Sequence, residues 1–370
     1  MIKNTQIRFV GKEHNTFTAT LNKRVHQYFL ENKLNRYANG EMVLKTIILL
    51  STYLLPFVAM LIFQPNLLVS LMIWTLMGLS LAGIGMNIMH DANHGSYSKN
   101  QRINTLLGHS LNLCGGSVLN WKFQHNVLHH TFTNVVHVDE DIDDKLVFRF
   151  SPHTNLKWFH KLQTVYAILF YGIITLYWVT LKDFLQFSRY IKKGVIRDSF
   201  KNNLISFIKI IITKAFYWFV FFIMPIYIFN IPFLQVLSGF LLMHFVAGIV
   251  LTVIFQLAHT VEGTSYPLPN SEGNIENNWA VHQMNTTVNF SRNNRIISWF
   301  VGGLNFQVEH HLFPNICHVH YPKISTIVKQ TAEEFGIPYL ENKTFWDALV
   351  SHLRALNKFG KLPNLNEAIG

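Results

Sequence analysis

Apolar residues in this chain come in long runs set between polar, basic stretches. The first forty positions are polar, with Lys3, Arg8, Lys12, Lys23, Arg24, Lys33 and Arg36 ahead of any long apolar run. Runs then extend from about 42 to 63 and from about 67 to 89, separated only by Gln64-Pro65-Asn66. Each approaches the ~20 residues that cross a hydrocarbon core, so the pair reads as a transmembrane hairpin. A second pair, about 210–229 and 233–258, turns at Asn230-Ile231-Pro232. Both short turns lack Lys and Arg, while the tail and the long connections are rich in them. The positive-inside rule therefore places both termini in the cytoplasm.

A fifth apolar run, about 162–181, is long enough to cross but carries Tyr166, Tyr171, Tyr177 and Trp178, which suit the headgroup layer. Crossing there would put the histidine clusters before and after it on opposite sides of the membrane. It is expected to lie in the interface, or to dip in and return. The tail has no signal-peptide core and is expected to be retained. Positions 21–30 form either a short helix on the membrane surface or part of a solvated tail. Beyond 259 the chain turns more polar; Pro322 opens a helix ending near Gly336, and Thr344 with Asp347 starts another that runs to about Leu356. The expected architecture is an all-α integral membrane protein. Four transmembrane helices form two hairpins, joined by interfacial helices and a cytoplasmic histidine-rich cap. Its parts are an N-terminal segment 1–41, a membrane catalytic domain 42–322 and C-terminal cytoplasmic helices 323–370.

Composition supports the membrane reading. Charged residues make up only 14% and hydrophobic ones 49%, against about 25% charged in ordinary soluble domains. Cys114 and Cys317 have no metal spacing and read as buried free thiols in a reducing compartment. The net charge of +11 suits anionic lipid headgroups or an acidic protein partner, and positive-inside bias explains it equally well. Nothing in the chain points to nucleic acid. Frequent Lys, Asn and Ile suit a bacterial source, which would place the protein in the inner membrane.

The candidate chemistry lies in histidines at the ends of the apolar runs. His90 and His94 are four apart; His125, His129 and His130 fall within six residues; His310 and His311 follow Gln307-Val308-Glu309; His259 ends the last run. On an α-helix positions four apart stack, so each pair aims two imidazoles at one point, and His130 leans in from the adjacent edge. Eight histidines are too many for one tetrahedral zinc and suit two metal ions; imidazole alone does not name the metal. His14, His26, His109, His137, His153, His160 and His352 read as packing or hydrogen-bonding residues. His244 stands about 22 Å from His259 along one helix, too far to join it. His282, His318 and His320 suit supporting or headgroup roles rather than ligation.

The pattern His90-Asp91-Ala92-Asn93-His94, then His125 to His130, then Gln307-Val308-Glu309-His310-His311-Leu312-Phe313-Pro314 resembles the three histidine boxes of the membrane fatty acid desaturases. Gln307, where other branches place histidine, is similar to the front-end branch. The resemblance runs from about 42 past 322 and includes the 279–290 stretch before the third box. It implies a non-haem di-iron centre that uses O2 as co-substrate to set a cis double bond in a fatty acyl chain. The regiochemistry implied is of the delta-5 or delta-6 kind. The implied iron ligands are His90, His94, His125, His129, His130, His259, His310 and His311. Gln307 is left as a weak ligand, a group acting through water, or a residue that only shapes the site. Asp91, Asn134, Asp139 and Asp141 could orient imidazoles, although solvated loop acids are an equal account of Asp139 and Asp141. The tail lacks the fused haem-binding electron-carrier domain of many front-end desaturases, so electrons are expected from a separate ferredoxin or small haem cytochrome. The acyl chain would arrive as phospholipid, acyl-CoA or on a carrier protein. Two other readings stand beside this one: a lipid or fatty-acid hydroxylase with the same centre, and a non-catalytic membrane protein that binds metal or haem.

Overall fold

In the computed structural model, which describes residues 7–142 and 147–364, the chain is mostly helical. Lys3 of the basic tail and positions 365–370 of the expected C-terminal segment lie outside the described residues. Among the described residues, five helices are long and apolar enough to cross a membrane: Gly40–Phe63, Leu67–Asn93, Trp158–Lys192, Phe200–Tyr227 and Phe233–His259. Three match the expected runs closely. Phe200–Tyr227 starts ten residues early, because Ser199 caps it by accepting from the Asn202 N–H and so carries the polar stretch from 200 into the helix. The fifth is longer than its apolar core: Trp158–Lys192 is a single helical run of 35 residues. It has none of the breaks that a dip and return would need. Two short parallel strand pairs, Arg8–Phe9 with Asn274–Ile275 and Asn289–Phe290 with Glu341–Asn342, qualify the all-α expectation.

The chain divides into two compact units. One comprises Ala38–Phe123 and Ile168–Val253. Its core gathers Tyr53, Phe57, Trp74, Tyr217, Phe221, Phe240 and Met243, while Leu44, Ile47, Leu55, Ile62 and Phe63 of the first helix stay more than half exposed. An apolar band of that size is costly in water and natural against lipid. Two clusters of polar groups inside are paired. Lys214 Nζ meets Asp183 and the carbonyls of Gly115 and Trp178, and Asp183 in turn receives the Ser117 N–H. His244 is held between the Tyr217 hydroxyl (2.9 Å) and Thr175 (3.2 Å), which accounts for it without any ligand role. Helices approach closely at small residues. Gly239 lies against the Trp74 indole with no space for a Cβ, so Gly239→Ala is expected to cost about 1–3 kcal/mol by overpacking. Thermal unfolding in detergent would read this; an unchanged melting temperature would show that Trp74 can swing aside.

The other unit is built, among the described residues, from three separated stretches: 7–37, those within 124–167, and 254–364. Here the helix Asn15–Glu31 buries Phe17, Leu21 and Val25 in one cluster with Met284, Val308, Ile324 and Val328. Arg24 also pairs with Glu334 of the helix Tyr321–Glu334. The helix expected over positions 21–30 is present, but its apolar face is covered by protein rather than by a membrane surface or solvent. The expected cap helices are present as Tyr321–Glu334 and Phe345–Phe359, the second with the Thr344/Asp347 capping box.

Candidate metal centre

The second histidine stretch departs from an ordinary α-helix. Lys122–His129 is a π-helix, and the His130 N–H donates to the His125 carbonyl at 3.0 Å. A bond from i to i+5 stacks residues five apart. His130 therefore comes over His125, with their Nε2 atoms 3.2 Å apart, while the His125 and His129 rings remain 5.3 Å apart. The α-helical expectation, with His130 to one side, is corrected: the wider turn gathers all three on one face.

His259 ends its helix 4.7 Å, ring to ring, from His129 and 5.0 Å from His311. His310 and His311 sit on the short helix Gln307–Leu312, with His310 4.5 Å and His311 4.3 Å from His130. Ring nitrogens of His129, His259 and His311 lie within 4.8 Å of one another, and so do those of His130, His310 and His311. His90 and His94 belong to the other unit, where their rings are 4.7 Å apart and both edge Trp121. Asp91 Oδ1 lies 3.9 Å from His90 Nδ1.

The residues behind the imidazoles set which nitrogen faces inward. Asp139, fully buried, accepts from His129 Nδ1 at 2.9 Å, which leaves His129 Nε2 as a lone-pair donor. Burial pushes the His129 imidazole down, but Asp139 and then Asp141 hold it above its ordinary range. Burial pushes Asp139 up, and His129 with the Asn134 and Asp141 N–H groups brings it below the usual carboxylate range. Asp141 is 3.9 Å from His129 and takes the Gln124 amide instead. Asn134 is a brace: its backbone N–H goes to Asp139 and its amide to the His259 and Thr286 carbonyls. Gln283, which sequence reasoning missed, accepts from His311 Nδ1 at 2.9 Å and from the Thr133 hydroxyl, while its amide donates to the His130 carbonyl. That again turns Nε2 inward. Glu309 points elsewhere, to Asn289 and Tyr339, and burial pushes it up to about 7. Gln307 is buried.

Among the described residues, His129 Nε2 has no hydrogen-bond partner and neither does the Gln307 Oε1 atom. A buried polar atom left so costs about 1–3 kcal/mol. Inward Nε2 atoms backed by a carboxylate and an amide are what a first-row transition ion takes, so the residues fit the metal their spacing implies. Asp139→Asn is expected to weaken metal binding about 10- to 100-fold. Competition with a chelator measures it, and an unchanged chelator midpoint would remove Asp139 from that role.

An apolar, multi-helix chain that gathers buried histidines in this way defines a class, the histidine-box proteins of membranes. More narrowly, the chain belongs to the fatty acid desaturase family, whose profile matches residues 65–343, and within it to the front-end branch. It is 37% identical to the sn-1 linoleoyl-lipid 6-desaturase of a Synechocystis species, over 98% of this chain and 99% of that one. Against the enzyme of the same name from Arthrospira platensis it is 36% identical, over 94% and 93%. The acyl-lipid (8-3)-desaturase of Physcomitrium patens is 35% identical, over 97% of this chain and 74% of the relative. The chain is therefore an oxidoreductase, a fatty acid desaturase, and its apolar helices fit an integral membrane protein.

Proposed function

We propose that this protein is an oxygen-dependent acyl-lipid desaturase that sets a cis double bond between an existing one and the carboxyl end, with delta-5 or delta-6 regiochemistry, at a centre of two iron ions. The observation that carries the reading is the pair of buried histidine triads in a chain of this family. Bound there, iron would supply the strong oxidant that an unactivated methylene requires, since it has no proton a side-chain base could take. The protein's share is to hold and orient. His125, His129, His130, His259, His310 and His311 would be ligands together with His90 and His94, and Gln307 a weak ligand or a shaping residue. Asp139 and Gln283 keep Nε2 of His129 and His311 facing inward. Phe255, 5.2 Å from His129 and 4.7 Å from His259, helps exclude water.

The substrate class follows the relatives' names, an acyl chain carried on membrane lipid. Electrons would come from a ferredoxin or a small haem cytochrome. Four crossings, with both termini and all the histidine boxes on the cytoplasmic side, suit this function, within the division into 1–41, 42–322 and 323–370. The closeness of His129 and His259 supports it: three apolar helices separate them, and an odd number of full crossings would not return the chain to its starting side. Trp158–Lys192 is then the one that runs along the interface. The test is fatty-acid analysis of membranes from cells expressing the protein with an electron donor and fed a diunsaturated acid. A new double bond on the carboxyl side is expected, and a hydroxylated acid would replace the reading with a hydroxylase.

A further inference from the structure

The Phe345–Phe359 helix is apolar on two opposite faces. One buries Ala348, His352, Ala355, Leu356 and Phe359. The other exposes Trp346 at 70%, Val350 at 45% and Leu353 at 38%, a stripe at spacings of four and three. Lys358 flanks it and Lys361 lies just beyond the helix, both exposed, while the exposed Arg354 pairs with Glu262 at 3.5 Å. A helix facing water would carry polar residues where Trp346, Val350 and Leu353 stand.

The cover is indicated by what the helix is fastened to. Gln163 Nε2 donates to the Leu356 carbonyl at 2.6 Å. Gly360 abuts the His160 carbonyl so closely that no Cβ would fit. Both anchors lie in the first turns of the apolar Trp158–Lys192 helix. Those turns expose Trp158 at 81%, Leu162 at 55% and Val165 at 80%, at the same spacings of four and three, with Lys157 and Lys161 beside them. Two aromatic-led apolar stripes with basic flanks are thus tied together in one unit.

We infer that the Phe345–Phe359 helix lies in the headgroup layer of the bilayer that holds the apolar helices. Trp346, Val350 and Leu353 enter the acyl boundary, and Lys358 and Lys361 meet anionic lipid phosphates. This rests on the membrane reading above and adds a peripheral seat to it. Its inner face reaches the centre: His352 Nδ1 donates to the Thr260 carbonyl at 2.7 Å, and the Glu262 N–H donates to Ser351. The turn that follows His259 is therefore held by a helix seated on lipid.

The experiment uses the full chain in phosphatidylcholine–phosphatidylglycerol vesicles, with a fluorescent thiol label at Val350→Cys and, in a second variant, at Leu353→Cys. Native Cys114 and Cys317 are buried. Val165→Cys on the apolar helix and Gln330→Cys on the exposed side of Tyr321–Glu334 are the references. Labels at 350 and 353 are expected to be quenched by nitroxide-bearing lipid several-fold more than the label at 330, and to be shielded from iodide. If they behave like position 330 while 165 is quenched by lipid, the inference falls and the membrane reading stands. Shielding from both quenchers points to a protein cover, such as a second copy, and also overturns it. If position 165 escapes the lipid quencher too, both readings fall together.

Discussion

His129→Ala is expected to abolish the new double bond and to strip metal from the protein. His129 is the residue on which most of the site converges. One of its ring nitrogens is among three that lie within 4.8 Å of one another, its Nδ1 is tied to Asp139, and its ring faces His259 and His311 at 4.7 and 4.9 Å. Loss of a supporting residue alone costs about 10–100-fold in affinity or activity, so loss of the ligand it supports should exceed roughly 100-fold. Iron per chain in purified protein and fatty-acid analysis of the membranes read the two consequences separately. Because the substitution also leaves Asp139 buried without its partner, melting of both proteins after metal removal shows how much of the change is folding. Full iron content and normal product in the variant would sink the assignment of His129 as a ligand.

Arg149→Met is expected to be the most damaging single change outside the histidines. This guanidinium is fully buried and is satisfied by backbone oxygens: Thr154 at 2.7 Å, Pro152 at 2.9 Å, Phe359 at 2.6 Å and Leu362 at 2.5 Å. Methionine keeps much of the volume and removes every donor. Each buried carbonyl left without a partner costs about 1–3 kcal/mol, so the loss should reach several kcal/mol, a large part of a typical fold's stability. Limited proteolysis should show the segment after Phe345 cut early, ahead of global unfolding. Digestion at the wild-type rate would mean that water or local rearrangement replaces the lost donors.

The membrane helices were legible because length and apolarity dominate there. Their ends were less so where polar residues join a helix: the Ser199 cap starts Phe200–Tyr227 ahead of its apolar run. The histidine set was legible as spacing, but the π-turn was not, since nothing local in 122–130 marks an i to i+5 bond. Asp139 and Asp141 were indistinguishable in sequence, two residues apart with the same chemistry. Only the fold turns one onto His129 and the other onto Gln124. Gln283 could not be singled out, because its meeting with His311 and Thr133 is a long-range contact without a periodic signal. Positions 21–30 misled for a related reason: an amphipathic pattern says that a face is covered but not by what.

The unit that gathers the two histidine triads is assembled from three distant stretches, and this sets an order of events during synthesis. At about 5–20 residues per second, the ribosome needs on the order of 10–40 s to travel the roughly 180 residues from His130 to His311. His259, His310 and His311 are still untranslated when His125, His129 and His130 have been made. Arg149 waits longer still for the carbonyls of 359 and 362. The two histidine triads can therefore close only late in synthesis, and a truncation after the third box would keep every histidine of the triads but lose the carbonyls that hold Arg149.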